Sequence, residues 1–383
     1  MLHDTNVFSG ATKAFLSILS GLSDTNVEPI VALPNRHGIY EELKKRGIET
    51  IVVPIRYATY PRIRSLNEFI LYFIRLLYWQ FSNFLTVRKL TKKLQYNKPD
   101  IIHSNVSVID VGLRTAIKLS VPHVYHFREY GDKDFGFRYF PTSKIYHERA
   151  EKAESYSISI TNDICNYHNL RGERSKVIYD GVFHASSEMP TSKLGTYFLY
   201  AGRIEPAKGL LSLLRAYKAY SDNVINPYPL HVAGEMPETK YAKQVKKYVE
   251  EHSLGPLVVF MGQCSNMNEL YRNARALIVP SVFEGFGFCM PEAMNQGCLV
   301  IGHDTGGTHE QFNNGLRSEG VSIGIRYNTE AELTNALAEV HSSPDRCYDD
   351  MKKRAFRVVN SLYSIESVNM QLYSFYKQIT GKI

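Results

Sequence analysis

The sequence predicts two doubly wound α/β domains, each built around a mainly parallel β-sheet. Three observations support this fold class. Apolar runs of strand length alternate with segments of helical period along almost the whole chain, which is the pattern of repeated βα units. The 383 residues are more than one ordinary domain contains. A polar stretch without periodicity, residues 181–195, separates the two halves of the pattern.

Short apolar runs mark the predicted strands of both halves. In the first domain, residues 1–185, they are residues 27–33, 49–53, 100–104, 123–126, 156–160 and 176–178. In the second domain, residues 186–362, they are residues 197–202, 230–234, 257–261, 276–280, 299–303 and 321–325. The last segment, residues 363–383, has apolar and aromatic side chains at helical spacing. We expect it to form a helix that crosses back to the first domain.

The beginning of the chain departs from the usual order of a doubly wound domain. Ser9 precedes Gly10 and a clearly amphipathic segment, so Ser9 is the predicted N-cap of the first helix. A first strand normally comes before such a glycine turn, but residues 1–8 do not have a strand pattern. We therefore expect the chain to begin downstream of the native first strand.

Composition limits the class of protein. The chain is 44% hydrophobic and 22% charged, which is typical of a folded globular protein. Its five cysteines are scattered without the paired spacings of zinc or disulfide frameworks, which favours a reducing, cytoplasmic compartment. No secretory leader or membrane-spanning run is predicted. The net charge of +7 fits a nucleic-acid surface, an anionic membrane or phosphorylated substrates equally well.

Two motifs, each placed between a predicted strand and a helix, indicate a binding site in the second half. Gly202 and Arg203 end one strand, and Lys208 follows five residues later at the start of a helix, where amides and cations can hold a diphosphate. Glu284 and Glu292 flank the next loop, and carboxylates there suit the vicinal hydroxyls of a sugar or ribose. The alternatives are solvated surface charges and, for Glu292, helix capping.

The paired motifs resemble the family 4 retaining glycosyltransferases, which have the GT-B fold. The resemblance rests on G-R-x4-K-G at residues 202–209 and on E-x7-E from Glu284 to Glu292. Further family landmarks occur in the expected order at residues 99–103, 177–182, 260–262 and 306–310, so the similarity covers essentially the whole chain. It implies two Rossmann-like domains that face each other across a cleft.

The resemblance also implies roles for individual residues. Arg203 and Lys208 would hold the donor diphosphate, Glu292 the ribose and Glu284 the transferred sugar. The donor site would further include Gly10, Gly202, Met261 and the loop residues Gly285, Phe286 and Gly287. The predicted donor is a UDP- or GDP-sugar that acts as a substrate, with no cofactor.

No metal is expected, because Arg203 and Lys208 would neutralise the leaving diphosphate. The tripeptide Asp132-Lys133-Asp134 has the form of a metal motif, but it lies in the first half and is interpreted as a loop. Family resemblance favours a front-face route without an enzymic nucleophile.

The first domain is expected to bind the acceptor. The resemblance places His126, at the end of a predicted strand, against the transferred sugar and makes it the best catalytic candidate. A structural histidine is the open alternative. Arg128 and Glu129 would recognise the acceptor or pair with each other, and His103 is expected to be structural.

Residues 69–94 combine many aromatic and apolar side chains with a basic end. The favoured interpretation is a buried helix over the sheet for residues 69–77. Peripheral contact with an anionic membrane at the inner face of the plasma membrane is the alternative for the basic end.

The predicted activity is transfer of a sugar to a glycan or lipid-linked acceptor in surface polysaccharide biosynthesis, with no nucleic-acid partner. Two other classes remain open. One is a catalytically silent nucleotide-sugar sensor or scaffold, which would bind donor without releasing nucleotide. The other is a GT-B epimerase, against which the two-motif donor pattern argues.

Overall fold

The computed structural model describes residues 1–5, 10–23, 25–133, 135–191, 195–344 and 346–381. The chain divides into two compact units. Unit 1 comprises Met1–Gly181 together with Ile365–Ile383, and unit 2 comprises Val182–Ser364. The predicted N-cap Ser9 and the second acid of the Asp132-Lys133-Asp134 tripeptide, Asp134, lie outside the described residues.

Unit 1 has mainly parallel strands with helices between them. The strands are β1 (Ile30–Leu33), β2 (Glu49–Val52), β3 (Thr59–Pro61), β4 (Ile102–Ser104), β5 (His123–Phe127), β6 (Phe137–Tyr139), β7 (Ser155–Ser159) and β8 (Ser175–Val177). The helices are α1 (Gly10–Leu22), α2 (Tyr40–Lys45), α3 (Leu66–Leu94), α4 (Val111–Leu119), α5 (Ser143–Ala150) and α6 (Asn162–Tyr167). Strands β1 and β2 pair in parallel, and a second parallel set runs in the order β4-β5-β7-β8.

A bridge at Leu2 joins these two sets of strands, although no strand was predicted before Gly10. Leu2 pairs in parallel with Ala32 of β1 and with Ser104 of β4. Its backbone N–H donates to the carbonyl of His103 at 2.8 Å, and the N–H of Ala32 donates to the carbonyl of Met1 at 2.8 Å. The first residues therefore occupy the strand position between β1 and β4.

Helix α3 corrects the prediction of a buried helix over residues 69–77. It begins at Leu66, after Ser65, whose Oγ accepts from the Glu68 N–H at 3.3 Å as an N-cap. Its buried residues are Trp79, Asn83, Thr86, Val87 and Leu90, whereas most apolar side chains of its first five turns are exposed. No helix among the described residues is both long and apolar enough to cross a membrane.

Strands β3 and β6, which the sequence did not predict, lie beside α3. They form an antiparallel pair from Thr59 opposite Tyr139 to Pro61 opposite Phe137. Ala58, Trp79 and Phe140 form a small apolar cluster there. This cluster anchors the inner face of α3.

Unit 2 contains one six-stranded sheet. Its strands are β9 (Phe198–Ala201), β10 (Leu230–Ala233), β11 (Val258–Gly262), β12 (Ala276–Val279), β13 (Val300–His303) and β14 (Ile325–Tyr327). Its helices are α7 (Leu210–Asn223), α8 (Lys240–Glu251), α9 (Met267–Asn273), α10 (Cys289–Asn295), α11 (Gly306–Glu319), α12 (Glu330–Ser342) and α13 (Asp349–Tyr363). The order β11-β10-β9-β12-β13-β14 is parallel throughout, so the topology reverses between β9 and β12.

The last helix, α14 (Ile365–Thr380), belongs to unit 1. Val368, Leu372, Phe375 and Tyr376 share an apolar cluster with Ile18 and Leu22 of α1 and with residues of β5 and β7. A Cβ on Gly21 would lie 2.1 Å from the Asn369 Nδ2, so only glycine fits where α1 meets α14.

Candidate functional site

The two predicted donor motifs meet at the carboxyl ends of β9 and β12. These strands are neighbours in the sheet, and the chain leaves them in opposite directions along it. Such a switch point leaves a crevice where open α/β sheets bind ligands. Gly202 and Arg203 follow β9, and the loop with Glu284 follows β12.

Backbone contacts fix the two motifs against each other. The N–H of Val282 donates to the carbonyl of Ala207 at 2.9 Å. Gly209, with φ of 69°, ends the 3₁₀ turn Pro206–Lys208 and begins α7. A Cβ on Gly209 would lie 2.0 Å from the carbonyl oxygen of Pro280. The glycine of the G-R-x4-K-G motif therefore allows both the left-handed turn and the close contact between loops.

Lys208 and Glu284 form a bidentate ion pair. The Lys208 Nζ lies 2.9 Å from Oε1 and 2.7 Å from Oε2 of Glu284, and both side chains are mostly buried. Burial by itself lowers the pKa of Lys208, but the charge and hydrogen bonds of Glu284 outweigh burial and raise that pKa above its usual value. Lys208 is therefore a permanent cation at neutral pH.

Arg203 is held more loosely. Its guanidinium lies 3.1 Å from the Glu205 carboxylate, and its side chain is 64% exposed. A surface ion pair of this kind contributes little to stability, so an incoming anion can displace Glu205 at small cost.

Glu292 lies in the first turn of α10, where Tyr271 holds one of its oxygens. The Tyr271 hydroxyl donates to Oε2 of Glu292 at 3.1 Å. Tyr271 is buried, and burial raises its pKa well above its usual value, so the hydroxyl keeps its proton. Met261 also lies at the carboxyl edge of the sheet, in β11, two strands from β9.

The loop at Gly285, Phe286 and Gly287 is held from α11. Gln311 Nε2 donates to the carbonyl of Phe286 at 2.5 Å and to that of Gly287 at 3.2 Å. The backbone N–H of Gly307 donates to the carbonyl of Glu284 at 2.8 Å. Gly287 has a φ of 88°, which explains a glycine there. No sequence pattern indicated that Gln311 supports this loop.

In unit 1, His126 belongs to a buried polar cluster. Its Nδ1 lies 3.3 Å from Nε2 of His103, and the two rings stack at 5.3 Å. The other nitrogen of His103 lies 2.5 Å from the hydroxyl of Tyr376 on α14. Burial, and then the charge of Arg128, lower the pKa of His126 far below its usual value, so this ring is neutral. Within the described residues, Nε2 of His126 has no hydrogen-bond partner.

Arg128 is buried in the same cluster and pairs with Asp180, which sequence reasoning missed. Its Nε donates to the carbonyl of Asn105 at 2.9 Å, and Nη2 donates to Oδ1 of Asn105 at 3.1 Å. The sequence left two roles open for Arg128, acceptor recognition and pairing with Glu129. Its observed ion pair is with Asp180, and an acceptor role for Arg128 and Glu129 stays a prediction.

Gly10, the other predicted donor residue of unit 1, begins α1. His3 lies close to that helix: its Nε2 is 3.0 Å from the Thr12 hydroxyl, and its ring stacks on Phe15. Among the described residues, no group of three or more His, Cys, Asp or Glu side chains is placed to hold a metal ion. That the reaction needs no metal stays an expectation.

Two family models match consecutive parts of the chain. The model described as Glycosyltransferase Family 4 matches residues 13–185, and the model described as Glycosyl transferases group 1 matches residues 188–358. Together they account for most of the chain.

Individual relatives are more distant. The O-antigen chain mannosyltransferase RfbU of Salmonella typhimurium is 28% identical over 204 residues, which are 53% of this chain and 54% of RfbU. The match thus spans about half of that relative. An uncharacterized glycosyltransferase of Methanocaldococcus jannaschii, MJ1607, is 25% identical over 71% of this chain and 76% of its own length.

A solved structure shows the same fold. Anabaena HepE in complex with UDP-glucose superimposes with a TM-score of 0.74 at 19% identity, over 98% of each chain. The predicted GT-B fold is confirmed. The chain belongs to the family 4, group 1 glycosyltransferases.

Proposed function

We propose that this protein transfers a sugar from a UDP- or GDP-sugar to a glycan or lipid-linked acceptor, with retention of configuration and without a metal, in surface polysaccharide biosynthesis. The observation that carries the proposal is the Lys208–Glu284 ion pair at the switch point of unit 2. Arg203 and Glu292 flank the same strand ends.

Charge explains why this arrangement suits a nucleotide-sugar donor. Without ligand, the Lys208 and Arg203 charges are balanced by Glu284 and Glu205. A diphosphate adds negative charge beside the two cations, and cleavage of the anomeric bond adds more. Lys208 and Arg203 stabilise that charge, as a metal does elsewhere.

The two glutamates then have separate roles. When Lys208 turns to the diphosphate, Glu284 is released to accept hydrogen bonds from sugar hydroxyls. Glu292, which Tyr271 orients, accepts a hydrogen bond from the ribose. The proposal requires no enzymic nucleophile, and family resemblance supports a front-face displacement.

His126 is the proposed catalytic candidate of unit 1. It is neutral, and its buried Nε2 lacks a partner among the described residues, which is costly unless a ligand or water satisfies it. A neutral imidazole nitrogen can donate to or accept from a sugar hydroxyl.

A donor panel tests the proposal. Thermal shift with UDP- and GDP-sugars identifies the donor, beginning with UDP-glucose, which HepE binds in its crystal structure, and with GDP-mannose, because RfbU is named a mannosyltransferase. With the chosen donor and a glycan acceptor, we expect nucleotide release that survives EDTA and an α-linked product from an α-linked donor.

Three outcomes would contradict the proposal. Donor binding without nucleotide release under any acceptor would indicate a sensor, and conversion of the donor to its epimer would indicate an epimerase. A strict requirement for Mn²⁺ or Mg²⁺ would contradict the assignment of leaving-group charge to Lys208 and Arg203.

A further inference from the structure

Helix α3 has an outer face that a folded protein does not normally leave in water. We propose that this face, with the cations at its two ends, docks on an anionic phospholipid membrane, the helix lying in the headgroup layer. The inference goes beyond the proposed sugar transfer and does not depend on it.

Exposure of apolar side chains is concentrated on α3. Of 24 large hydrophobic side chains exposed in the described residues, 11 lie on this one helix. They are Leu66, Phe69, Ile70, Leu71, Phe73, Ile74, Leu77, Tyr78, Phe81, Phe84 and Leu85. Scattered single exposed apolar residues are normal, but a contiguous patch marks an interaction surface.

The patch follows the helical period on the side opposite the buried one. Ile70, Ile74, Leu77 and Phe81 occur at spacings of four, three and four, so they form one stripe. The helix rises about 1.5 Å per residue, so the exposed apolar part extends for about 28 Å. Continued along the helix, the same stripe reaches Arg88 and Lys92.

The net positive charge of the protein is concentrated around this face. Residues 51–99 contain nine Lys or Arg and one acid, Glu68. The whole chain has 45 basic and 38 acidic residues, which leaves 36 basic and 37 acidic residues elsewhere. The entire excess therefore lies on and beside α3, and anionic lipid headgroups are its complement.

Within the described parts of the chain, carboxylates do not neutralise these cations. Across the described residues, none of the nine forms an ion pair with a carboxylate. Arg88 instead lies over the ring of Phe84 at 5.6 Å, and Arg56 lies over that of Tyr78 at 5.2 Å. Cations beside exposed aromatic rings are typical of a membrane interface.

A pocket of about 370 Å³ beside α3 offers a place for a headgroup phosphate. Arg56 and Arg75 line it together with Tyr60 and Tyr78. Arg56 also donates to the Tyr78 hydroxyl at 2.8 Å, which orients its guanidinium. Two arginines and phenolic hydroxyls are suitable donors for a phosphate.

A second copy of the chain is a poorer occupant. A symmetric dimer through this face would bring two segments with the same excess of positive charge together, and like charges oppose such an interface. A bilayer accepts the apolar stripe in its boundary region and satisfies the cations with its headgroups.

Vesicle co-sedimentation of the full chain tests the inference. We expect binding at about 20 mM salt to phosphatidylcholine vesicles with roughly 30% phosphatidylglycerol, and much weaker binding to phosphatidylcholine alone. Ile74→Ser/Leu77→Ser/Phe81→Ser should lower the partition coefficient more than tenfold. The control Ile225→Ser/Met370→Ser removes exposed apolar side chains elsewhere and should bind like the wild type.

The cations are tested separately. Arg88→Gln/Lys92→Gln should weaken binding to the anionic vesicles about 25-fold, since each cation contributes about a factor of five. Lys243→Gln/Lys246→Gln, which removes two exposed lysines of α8, is the matched control. Circular dichroism confirms that every variant is folded.

Three outcomes would overturn the inference. One is no binding to anionic vesicles at low salt, and another is equal binding to neutral and anionic vesicles. The third is a wild-type dimer in sedimentation velocity that the triple serine variant abolishes, which would assign the face to a second copy.

Discussion

The two units share a doubly wound fold but differ in what they bury. Of the thirteen histidines, all in described positions, five are buried, and all five belong to unit 1. They are His3, His103, His123, His126 and His168. Unit 2 instead buries a cluster of aliphatic and tyrosine side chains between its sheet and helices, and its candidate residues lie on loops at strand ends.

Because of this difference, substitutions at the candidate residues should affect stability in unit 1 and ligand binding in unit 2. In unit 1 the candidate residues His126 and Arg128 are also part of the interior, so changing them changes folding. In unit 2 the candidate residues lie at the strand ends, outside the apolar core. They are Arg203, Lys208, Glu284 and Glu292. Substitutions at those four should therefore affect donor binding or turnover more than folding.

The largest expected effect is the loss of stability of unit 1 in acid. Burial lowers the pKa of His3 and His168 to about 4 and that of His123 to about 3, and it lowers those of His103 and His126 well below their usual value. The unfolded state takes up these protons near pH 6.5, so stability is complete above that pH and is lost toward pH 4. His3, His123 and His168 together cost about 4 kcal/mol one pH unit below 6.5, and His103 and His126 add to that cost, which is a large part of the stability of a typical domain.

The single tryptophan, Trp79, is buried in unit 1 and reports this transition by fluorescence. Hydrogen exchange of β9 and β12 peptides reports unit 2, which should remain protected at the pH where Trp79 becomes exposed. His123→Gln should lower the midpoint pH, whereas His309→Gln, an exposed change in unit 2, should not. An unchanged Trp79 signal down to about pH 4.5 would contradict the comparison.

The buried Arg128–Asp180 pair should give the next largest effect. Arg128→Met leaves the Asp180 carboxyl buried without its cation, and loss of one partner from such a pair costs about 3–5 kcal/mol. Adding Asp180→Leu removes the unpaired group and should recover most of that loss. Urea unfolding monitored through Trp79 measures both; a double variant no more stable than Arg128→Met would show that the pair is not what stabilises this cluster.

Much of the fold could be predicted from sequence because buried parallel strands are short apolar runs. Predicted strands 49–53 and 230–234 each end one residue beyond the observed β2 and β10. The run 321–325 was less accurate, since β14 begins only at Ile325. Ser322 makes local hydrogen bonds with Gly324, and the resulting turn delays the strand.

Other features depend on contacts that a sequence pattern does not contain. The Lys208–Glu284 pair joins residues 76 positions apart, and Tyr376 reaches His103 across 273 positions. Residues 69–77 were assigned to the core because they are apolar. Periodicity shows which residues share a face of the helix, but it does not show whether that face packs against the rest of the protein or is exposed. The motifs identified the candidate donor residues, but not the side chains that pair with them.

Lys208→Gln should cost less stability than Arg128→Met, because Lys208 and Glu284 keep more contact with water than Arg128 and Asp180 do. It should lower kcat by about 10²–10³, the effect of removing one preorganised charge from a leaving group. Because its pKa is raised, Lys208 keeps its charge up to about pH 10 and loses it only at higher pH, so it should add no titration to kcat between pH 6 and 9. Lys218→Gln is the control, because it breaks a lysine–aspartate pair on α7. Equal kcat in the two variants would remove Lys208 from the reaction.

Tyr271→Phe should have the smallest effect and is the sharpest test of Glu292. The phenol holds one carboxylate oxygen at 3.1 Å, so its loss weakens the orientation of Glu292, the proposed ribose ligand, without removing the charge. Losing one such hydrogen bond costs about 0.5–1.5 kcal/mol, which predicts a donor KM about 2–10-fold higher with kcat nearly constant.

Glu292→Gln should raise the donor KM further. The double variant should be little worse than Glu292→Gln alone, because Tyr271 acts only through that carboxylate. Additive effects would mean that Tyr271 supports the fold of unit 2 instead, and a lower kcat at unchanged KM would place Glu292 at the reacting sugar.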